Sequence, residues 1–295
     1  MRAGAFALYE EALREQATAL VLRTADGRAL PFQVSRWCGA PDAADEELLR
    51  HCRGPVLDVG CGPGRLTAAL TERGIPALGV DISRAAVARA RRAGAPALHR
   101  SVFDPLPGLG RWATVLLADG NIGIGGQPAR LLHRCSQLLA PGGQILIEAE
   151  PGNVDEQLTA WLEHPDGRRG PVFAWARMGT AALLRASAEA GLHVMGQWCH
   201  ADRTYIRAAT RASAQRRESP VLDVQAIAAP SRNGSAPDQP RADLRHRCQE
   251  LTTSSMRPAA ASATDAARRK VTRRELAGPG EHPRWLGEDH RRLGA

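Results

Sequence analysis

Three glycines and two carboxylates between residues 58 and 81 have the residue types and spacing of a ligand site. Residues 56–65 read Val-Leu-Asp-Val-Gly-Cys-Gly-Pro-Gly-Arg, an apolar run that leads into a glycine-rich turn. Glycine accepts positive φ and lets the backbone approach a ligand closely. A helix that begins near Arg65 would add unpaired N–H groups. We expect a bound ligand here, with a ligand-free turn as the alternative.

The glycine spacing excludes two common phosphate-binding loops. A dinucleotide fingerprint would place its third glycine at position 65, which is Arg65. A Walker A loop would require Gly-Lys-Ser/Thr, which does not follow. A nicotinamide-dependent dehydrogenase is therefore the weakest interpretation.

Asp81 follows the apolar run Leu78–Val80, twenty-one residues after Gly60. A carboxylate at the end of a strand beside a glycine loop can accept hydrogen bonds from two ribose hydroxyls. The alternative is that Asp81 caps a helix starting near Arg84, but Ser83 is better placed to do so. We predict the ribose role for Asp81.

Alternating short apolar runs and amphipathic segments predict how these residues are positioned. Strand and helix alternating at this spacing indicate a three-layer α/β fold with a mostly parallel sheet. The expected strands are Val56–Val59, Ala77–Val80, Ala97–Arg100, Ala113–Leu117 and Gln144–Ala149, followed by an antiparallel hairpin of Leu192–Cys199 and Thr204–Ala208. The expected helices are 3–23, Asp42–Cys52, Arg65–Arg73, Arg84–Arg92, Pro128–Leu139 and Thr180–Ala190.

The pattern Asp58-x-Gly60-x-Gly62-x-Gly64 with Asp81 resembles the first two motifs of class I S-adenosylmethionine-dependent methyltransferases. The similarity covers roughly residues 50–210 and includes Leu138–Gly143 before the fifth strand. It implies a Rossmann-like fold, a seven-stranded sheet whose last strand is antiparallel, and S-adenosylmethionine as cofactor. It further implies that the methionine half of the cofactor is held by Asp58, Gly60, Cys61, Gly62, Pro63 and Gly64, and the ribose by Asp81, beside Ile82.

The adenine contact departs from the family pattern. After the third strand the family often has Gly-Asp, whereas Ser101 and Val102 occupy the matching positions here. We assign the adenine contact to Ser101, Val102 and Phe103. Asp104 is an alternative, although it could equally start the turn before Pro105.

The loop after the fourth strand is expected near the transferred methyl group. Asp119 and Gly120 are predicted cofactor contacts there, and Asn121 is a candidate for orienting the acceptor; a glycine turn with polar ends explains these residues equally well. The Asn/Asp-Pro-Pro-aromatic motif of amino methyltransferases acting on DNA is absent.

Other substrate candidates are Trp37, with Arg36 beside it, and His164, a loop histidine without a visible partner. Glu148 and Glu150 can reach the crevice. An aromatic pocket wall could be formed by Trp37, Trp161, Phe173 and Trp175, but aromatic residues are more often core. No catalytic residue is assigned, because a sulfonium methyl is already activated and the protein mainly aligns the partners.

The resemblance implies methyl transfer by in-line displacement, and the short segments 1–50 and 150–178 suit a small-molecule acceptor better than a protein or nucleic acid. A non-catalytic S-adenosylmethionine-binding protein and an aminopropyl transferase of the same fold are the alternatives. The expected organisation is an N-terminal helical cap at 1–50, a methyltransferase domain at 51–210 and a disordered basic tail at 211–295, with a short helix around Ala259–Leu276 as the alternative for part of the tail.

Composition and charge limit the classes of binding partner that we expect. Of the net charge of +8, residues 211–295 carry +6, so the folded part is nearly balanced and we expect no nucleic-acid partner. The six cysteines form no zinc-like spacing, which predicts free thiols and no metal. Without a signal peptide or a long apolar run, we expect a cytoplasmic protein with no membrane partner.

Overall fold

The computed structural model describes residues 6–15 and 20–210. The tail at 211–295 and its alternative helix lie outside the described residues. The helices are α1 Ala7–Glu15, α2 Val34–Trp37, α3 Ala43–Arg50, α4 Arg65–Glu72, α5 Arg84–Arg92, α6 Pro128–Leu138 and α7 Thr180–Glu189, and a 3-10 segment spans Asn121–Gly126. The strands are β1 Val21–Thr24, β2 Ala29–Pro31, β3 Val56–Val59, β4 Ala77–Asp81, β5 Ala97–His99, β6 Trp112–Leu117, β7 Leu139–Ala149, β8 Asp155–Glu163, β9 Phe173–Met178, β10 Leu192–His200 and β11 Arg203–Thr210.

Seven strands form the main sheet in the order β10-β11-β7-β6-β3-β4-β5. The strands from β7 to β5 are paired in parallel, whereas β11 runs antiparallel to β7 and to β10. The predicted α/β class, the mostly parallel sheet and its antiparallel end are confirmed.

Both faces of this sheet are covered, because its central strands are apolar at successive positions. Val56 and Leu116 pack with Leu48 of α3 and Leu70 of α4. On the other face of the sheet, Leu57 and the neighbouring apolar side chains pack with residues of α6 and α7. Strands buried on both faces are typical of parallel sheets between helix layers.

A second, four-stranded antiparallel sheet has the order β2-β1-β8-β9. The helix predicted over 3–23 is wrong at its C-terminal end: α1 ends at Glu15, and Val21–Thr24 is a strand. Residues 21–24 alternate between half-buried and buried and pair with Ala160–Glu163. Pairing with a distant strand outweighs the helical spacing of the local apolar residues. The first fifty residues therefore contain two strands as well as helices.

The β8-β9 hairpin was not predicted, and β7 begins at Leu139 instead of Gln144. Leu139 pairs with Trp112, and the register then shifts before Gln144 pairs with Thr114. The hairpin lies against the main domain through β9 and the 3-10 segment. A Cβ added to Gly123 would lie 2.6 Å from the Trp175 ring, so glycine at 123 permits this approach.

Candidate functional site

A cavity of about 560 Å³ opens at the carboxyl ends of β3, β4 and β6, beneath the N-terminal segment and β9. This is the place where open α/β sheets bind ligands. The predicted site residues that line it are Trp37, Asp58, Gly60, Cys61, Gly62, Pro63, Asp81, Ile82, Ser101, Val102, Asp119, Gly120 and Asn121. Its lining does not include Gly64, Phe103 or His164.

The glycine loop has the conformation expected from its sequence. Gly60 and Gly62 have φ of 74° and 54°, in the left-handed region that favours glycine. The side chain of Asn121 braces the loop, since its Nδ2 donates to the carbonyls of Val59 at 2.9 Å and Gly60 at 3.0 Å. A Cβ on Gly60 would lie 2.8 Å from that amide, so the loop and Asn121 are fitted to one another.

Asp81 lies at the end of β4 with its carboxylate facing the loop. Its Oδ2 accepts from the Gly62 N–H at 2.9 Å and its Oδ1 from the Ser83 N–H at 2.7 Å. Ser83 caps α5, as expected, because its hydroxyl accepts from the Ala86 N–H. Burial raises the pKa of Asp81. Each carboxylate oxygen retains a further lone pair, so a diol can still bind.

Asp58 is only 2% exposed and accepts a hydrogen bond from the Thr67 hydroxyl at 2.7 Å. Burial raises its pKa to about 7, and the nearby carboxylates of Asp119 and Asp81 add to this shift. The carboxylates of Asp58 and Asp81 make this end of the cavity favourable for a positively charged ligand.

Tyr9 of α1 was not identified from the sequence. A Cβ on Gly62 would lie 3.2 Å from its hydroxyl, so the phenol closes the cavity over the glycine loop. Burial, followed by the charge of Asp81, raises the pKa of Tyr9 well above its ordinary value. The helix is held there by Glu10, which accepts from the Ser83 hydroxyl at 3.0 Å and the Arg84 N–H at 2.9 Å at the start of α5.

Charged side chains from distant segments form a network under the loop after β6. Arg65 donates to Asp119 Oδ2 at 2.6 Å, and Arg36 pairs with the other oxygen. The network also contains Asp42, the fully buried Asp45, Glu148 and Arg203. Burial lowers the pKa of Arg65, and Asp119 opposes this effect. Asp119 is therefore occupied by two guanidinium groups.

A local signal for this network exists in the sequence. Arg65 is the first residue of α4, where the positive end of the helix dipole disfavours a cation. Such a residue requires carboxylate partners, which Asp45 and Asp119 provide.

Residues 101–104 form a turn. Ser101 N–H donates to the Asp104 carboxylate at 3.3 Å, and Phe103 N–H donates to the Ser101 hydroxyl at 3.2 Å. Asp104 lies outside the cavity lining, whereas Ser101 and Val102 border it. His164 is also outside, with its Nδ1 2.7 Å from Asp166.

The cavity is also lined by aromatic rings. Trp37, Phe173 and Trp175 line it, as the sequence suggested, and Trp161 does not. Three further rings, those of Phe6, Tyr9 and Phe32, were not identified from the sequence. Glu150 and Arg177 line the same cavity and form an ion pair at 2.8 Å.

Residues 6–15 and 20–210 contain no group of three or more His, Cys, Asp or Glu side chains arranged to hold a metal ion. No helix among them is long and apolar enough to cross a bilayer.

Residues 9–194 match the family model described as a methyltransferase domain. A ubiquinone biosynthesis O-methyltransferase of Pseudomonas paraeruginosa is 32% identical over 101 residues, which are 31% of this chain and 42% of that protein. A trans-aconitate 2-methyltransferase of Delftia acidovorans is 33% identical over 138 residues, or 44% of this chain and 49% of that one. The matches thus span about half the length of these relatives or less.

A solved structure shares the fold. A methyltransferase from Bacteroides fragilis, in complex with S-adenosylhomocysteine, superposes with a TM-score of 0.60 at 21% identity, covering 70% of this chain and 94% of that one. The resemblance seen in the glycine motif is confirmed by the family match, which covers well over half of the chain. The chain belongs to the methyltransferase domain family, and it has the Rossmann-like fold of the S-adenosylmethionine-dependent methyltransferases.

Proposed function

We propose that this protein is an S-adenosylmethionine-dependent methyltransferase that acts on a small-molecule acceptor by in-line displacement. The observation that carries the proposal is that Asp58, the glycine loop and Asp81 meet at one cavity that is also lined by aromatic rings. The relatives named above are methyltransferases, and one acts on trans-aconitate. The cavity volume of about 560 Å³ suits a small ligand pair.

The cofactor would supply a methyl group on a positively charged sulfur. Asp58 and the loop Gly60–Gly64 would bind its methionine half, where buried carboxylates favour positive charge. Asp81 would accept the ribose hydroxyls, next to Ile82. Ser101 and Val102 border the place for adenine. Phe103 and Gly64 would support these contacts from outside the lining.

The protein's share of catalysis is alignment and exclusion of water. Tyr9 closes the cavity over the glycine loop, and Asn121 fixes that loop to the segment after β6. Asp119, held by Arg36 and Arg65, keeps the intervening backbone in one place. The acceptor would lie against the aromatic rings of the cavity and meet the methyl group near Gly120.

Aminopropyl transfer is disfavoured by a specific contact. A polyamine would need a free carboxylate within the loop after β6 itself, and Asp119 is the one acid among residues 118–127. Both Asp119 oxygens are already paired with arginines.

Release of S-adenosylhomocysteine from S-adenosylmethionine, measured with a panel of small hydroxyl and amine compounds, tests the function. We expect release to depend on at least one acceptor and to be lost in Asp81→Ala. Tight cofactor binding with no release for any acceptor class, macromolecular extracts included, would instead support a non-catalytic binding protein.

A further inference from the structure

The cavity is lined by an unusually large share of the aromatic residues of this chain. The sequence contains four Phe, six Trp and two Tyr, only 4% of all residues. Six of these twelve line the one cavity, and we call them the aromatic wall: Phe6, Tyr9, Phe32, Trp37, Phe173 and Trp175. The main-sheet core holds four other rings, Phe103, Trp112, Trp198 and Tyr205, among Leu, Ile, Val and Ala side chains.

The aromatic wall comes from two parts of the chain, the N-terminal segment and β9. Phe32 and Trp37 meet edge to face at 4.7 Å, and Tyr9 packs edge-on against both, at 5.6 and 6.1 Å. Phe173 and Trp175 of β9 meet edge to face at 6.1 Å. Four of the six rings are only partly buried, so they present surface to the cavity.

Rings arranged in this way offer edges and faces to a further flat ring. Each favourable aromatic pair contributes about 0.5–1.5 kcal/mol beyond the area that it buries. An aliphatic molecule of the same size would gain the buried area without that addition.

A polar group borders the aromatic wall. Glu150 Oε2 accepts from Arg177 at 2.8 Å, whereas its Oε1 has no hydrogen-bond donor among the described residues. That oxygen lies 3.9 Å from a Cβ built on Gly120, so it faces the loop where the methyl group would be transferred. A hydroxyl or N–H group on the acceptor would find an acceptor atom there.

We propose that the methyl acceptor is a compact planar aromatic or heteroaromatic compound with a hydroxyl or amino group, stacked on the aromatic wall and hydrogen-bonded to Glu150. This inference rests on the proposed function for the identity of the ligand as acceptor. The preference for a flat ring is a property of the cavity alone.

The test uses 2-naphthol and its saturated counterpart decahydro-2-naphthol as probes, titrated calorimetrically into the full chain with and without saturating S-adenosylhomocysteine. We expect 2-naphthol to bind at least tenfold more tightly. Trp37→Leu and Trp175→Leu should each lower the affinity for 2-naphthol roughly threefold to tenfold. The matched control is Trp161→Leu on β8, outside the lining, which should leave the affinity unchanged.

Glu150→Gln should lower the affinity for 2-naphthol severalfold, because a charged carboxylate accepts a stronger hydrogen bond than a neutral amide does. The control is Glu156→Gln. Glu156 is the other carboxylate partner of Arg177 but does not line the cavity, so this change should leave the affinity for 2-naphthol unchanged. Equal affinity for the two probes, or equal losses in Trp37→Leu and Trp161→Leu, would overturn the proposal. Failure of S-adenosylhomocysteine to bind, with the probe preference intact, would count against the proposed function alone.

Discussion

Asp58 illustrates how one residue links burial to ligand charge. Its carboxyl is nearly inaccessible, and burial raises its pKa to about 7, so the protonated form is populated near neutral pH. A cationic ligand favours the ionised form and therefore expels that proton. The motif predicts the position of this residue, but the rise in its pKa comes mainly from burial and then from the charges of Asp119 and Asp81, which the fold brings close.

The affinity for S-adenosylmethionine should rise with pH, by up to about tenfold between pH 6 and 8, because ionising Asp58 no longer costs free energy above its pKa. Calorimetry in two buffers of different ionisation enthalpy should detect proton release below pH 7. Asp58→Asn should remove both the pH dependence attributable to this group and the proton release. An unchanged profile in that variant would contradict the assignment.

In the ligand-free protein, the contribution of Asp58 to the free energy of unfolding changes with pH in the opposite direction to the ligand affinity. The folded pKa of Asp58 lies above the ordinary value of 3.8, so the folded state binds the extra proton. This contribution to stability is complete at low pH and is lost as the pH rises through about 7.

Arg65 is the buried member of the charged network, with a side chain 3% exposed beside the fully buried Asp45. Arg65→Met should lower the free energy of unfolding by about 3–5 kcal/mol, because it leaves buried carboxylates without their partner. Urea denaturation measures the difference. Arg185→Met is the control, since its pair with Asp155 is more than half exposed and should contribute less than about 1 kcal/mol. Similar losses in the two variants would show that the network is not buried as described.

Elements of the main sheet were predictable because each has a local signal. The strand and helix bounds from β3 to α5 follow apolar runs, the glycine turn and the Ser83 cap. The β8-β9 hairpin has no such signal, since Asp155–Glu163 mixes acids with apolar residues and is only half buried. Its pairing with β1, which lies more than a hundred residues earlier, is a long-range interaction that local periodicity does not report.

The contact between β9 and the 3-10 segment depends on Gly123. Gly123→Ala would place a Cβ 2.6 Å from the Trp175 ring and should cost about 1–3 kcal/mol of stability through overpacking. It should also weaken the binding of acceptor-side ligands, because Trp175 must move. Thermal unfolding and probe titration measure the two effects. Gly196→Ala on β10 meets no atom within 4 Å and should be nearly neutral; a neutral Gly123→Ala would argue against this close contact.

Across the whole molecule, the cavity needs contributions from both sheets. The main sheet provides the glycine loop and the carboxylates, which the motif predicts. The N-terminal segment and β9 provide Tyr9 and the rest of the aromatic wall, which only the tertiary structure reveals. The division of the chain at residues 50 and 210 stays a prediction.

Closure of the cavity by α1 gives a prediction for ligand binding. S-adenosylhomocysteine at a hundredfold excess over its Kd should stabilise the protein by about 2.7 kcal/mol. Hydrogen exchange should slow both in the loop Gly60–Gly64 and in α1, because Tyr9 packs over Gly62. Slowing confined to the loop would show that α1 does not take part in the site.

Calorimetric titration with S-adenosylhomocysteine tests the cofactor site most directly. Wild-type protein and the surface variant Asp155→Ala, whose carboxylate is 56% exposed, should bind with micromolar affinity. Asp81→Ala should bind at least a hundredfold more weakly while remaining folded, as its circular dichroism spectrum would show. No binding at millimolar concentration to folded wild-type protein, or undiminished binding to Asp81→Ala, would contradict the account.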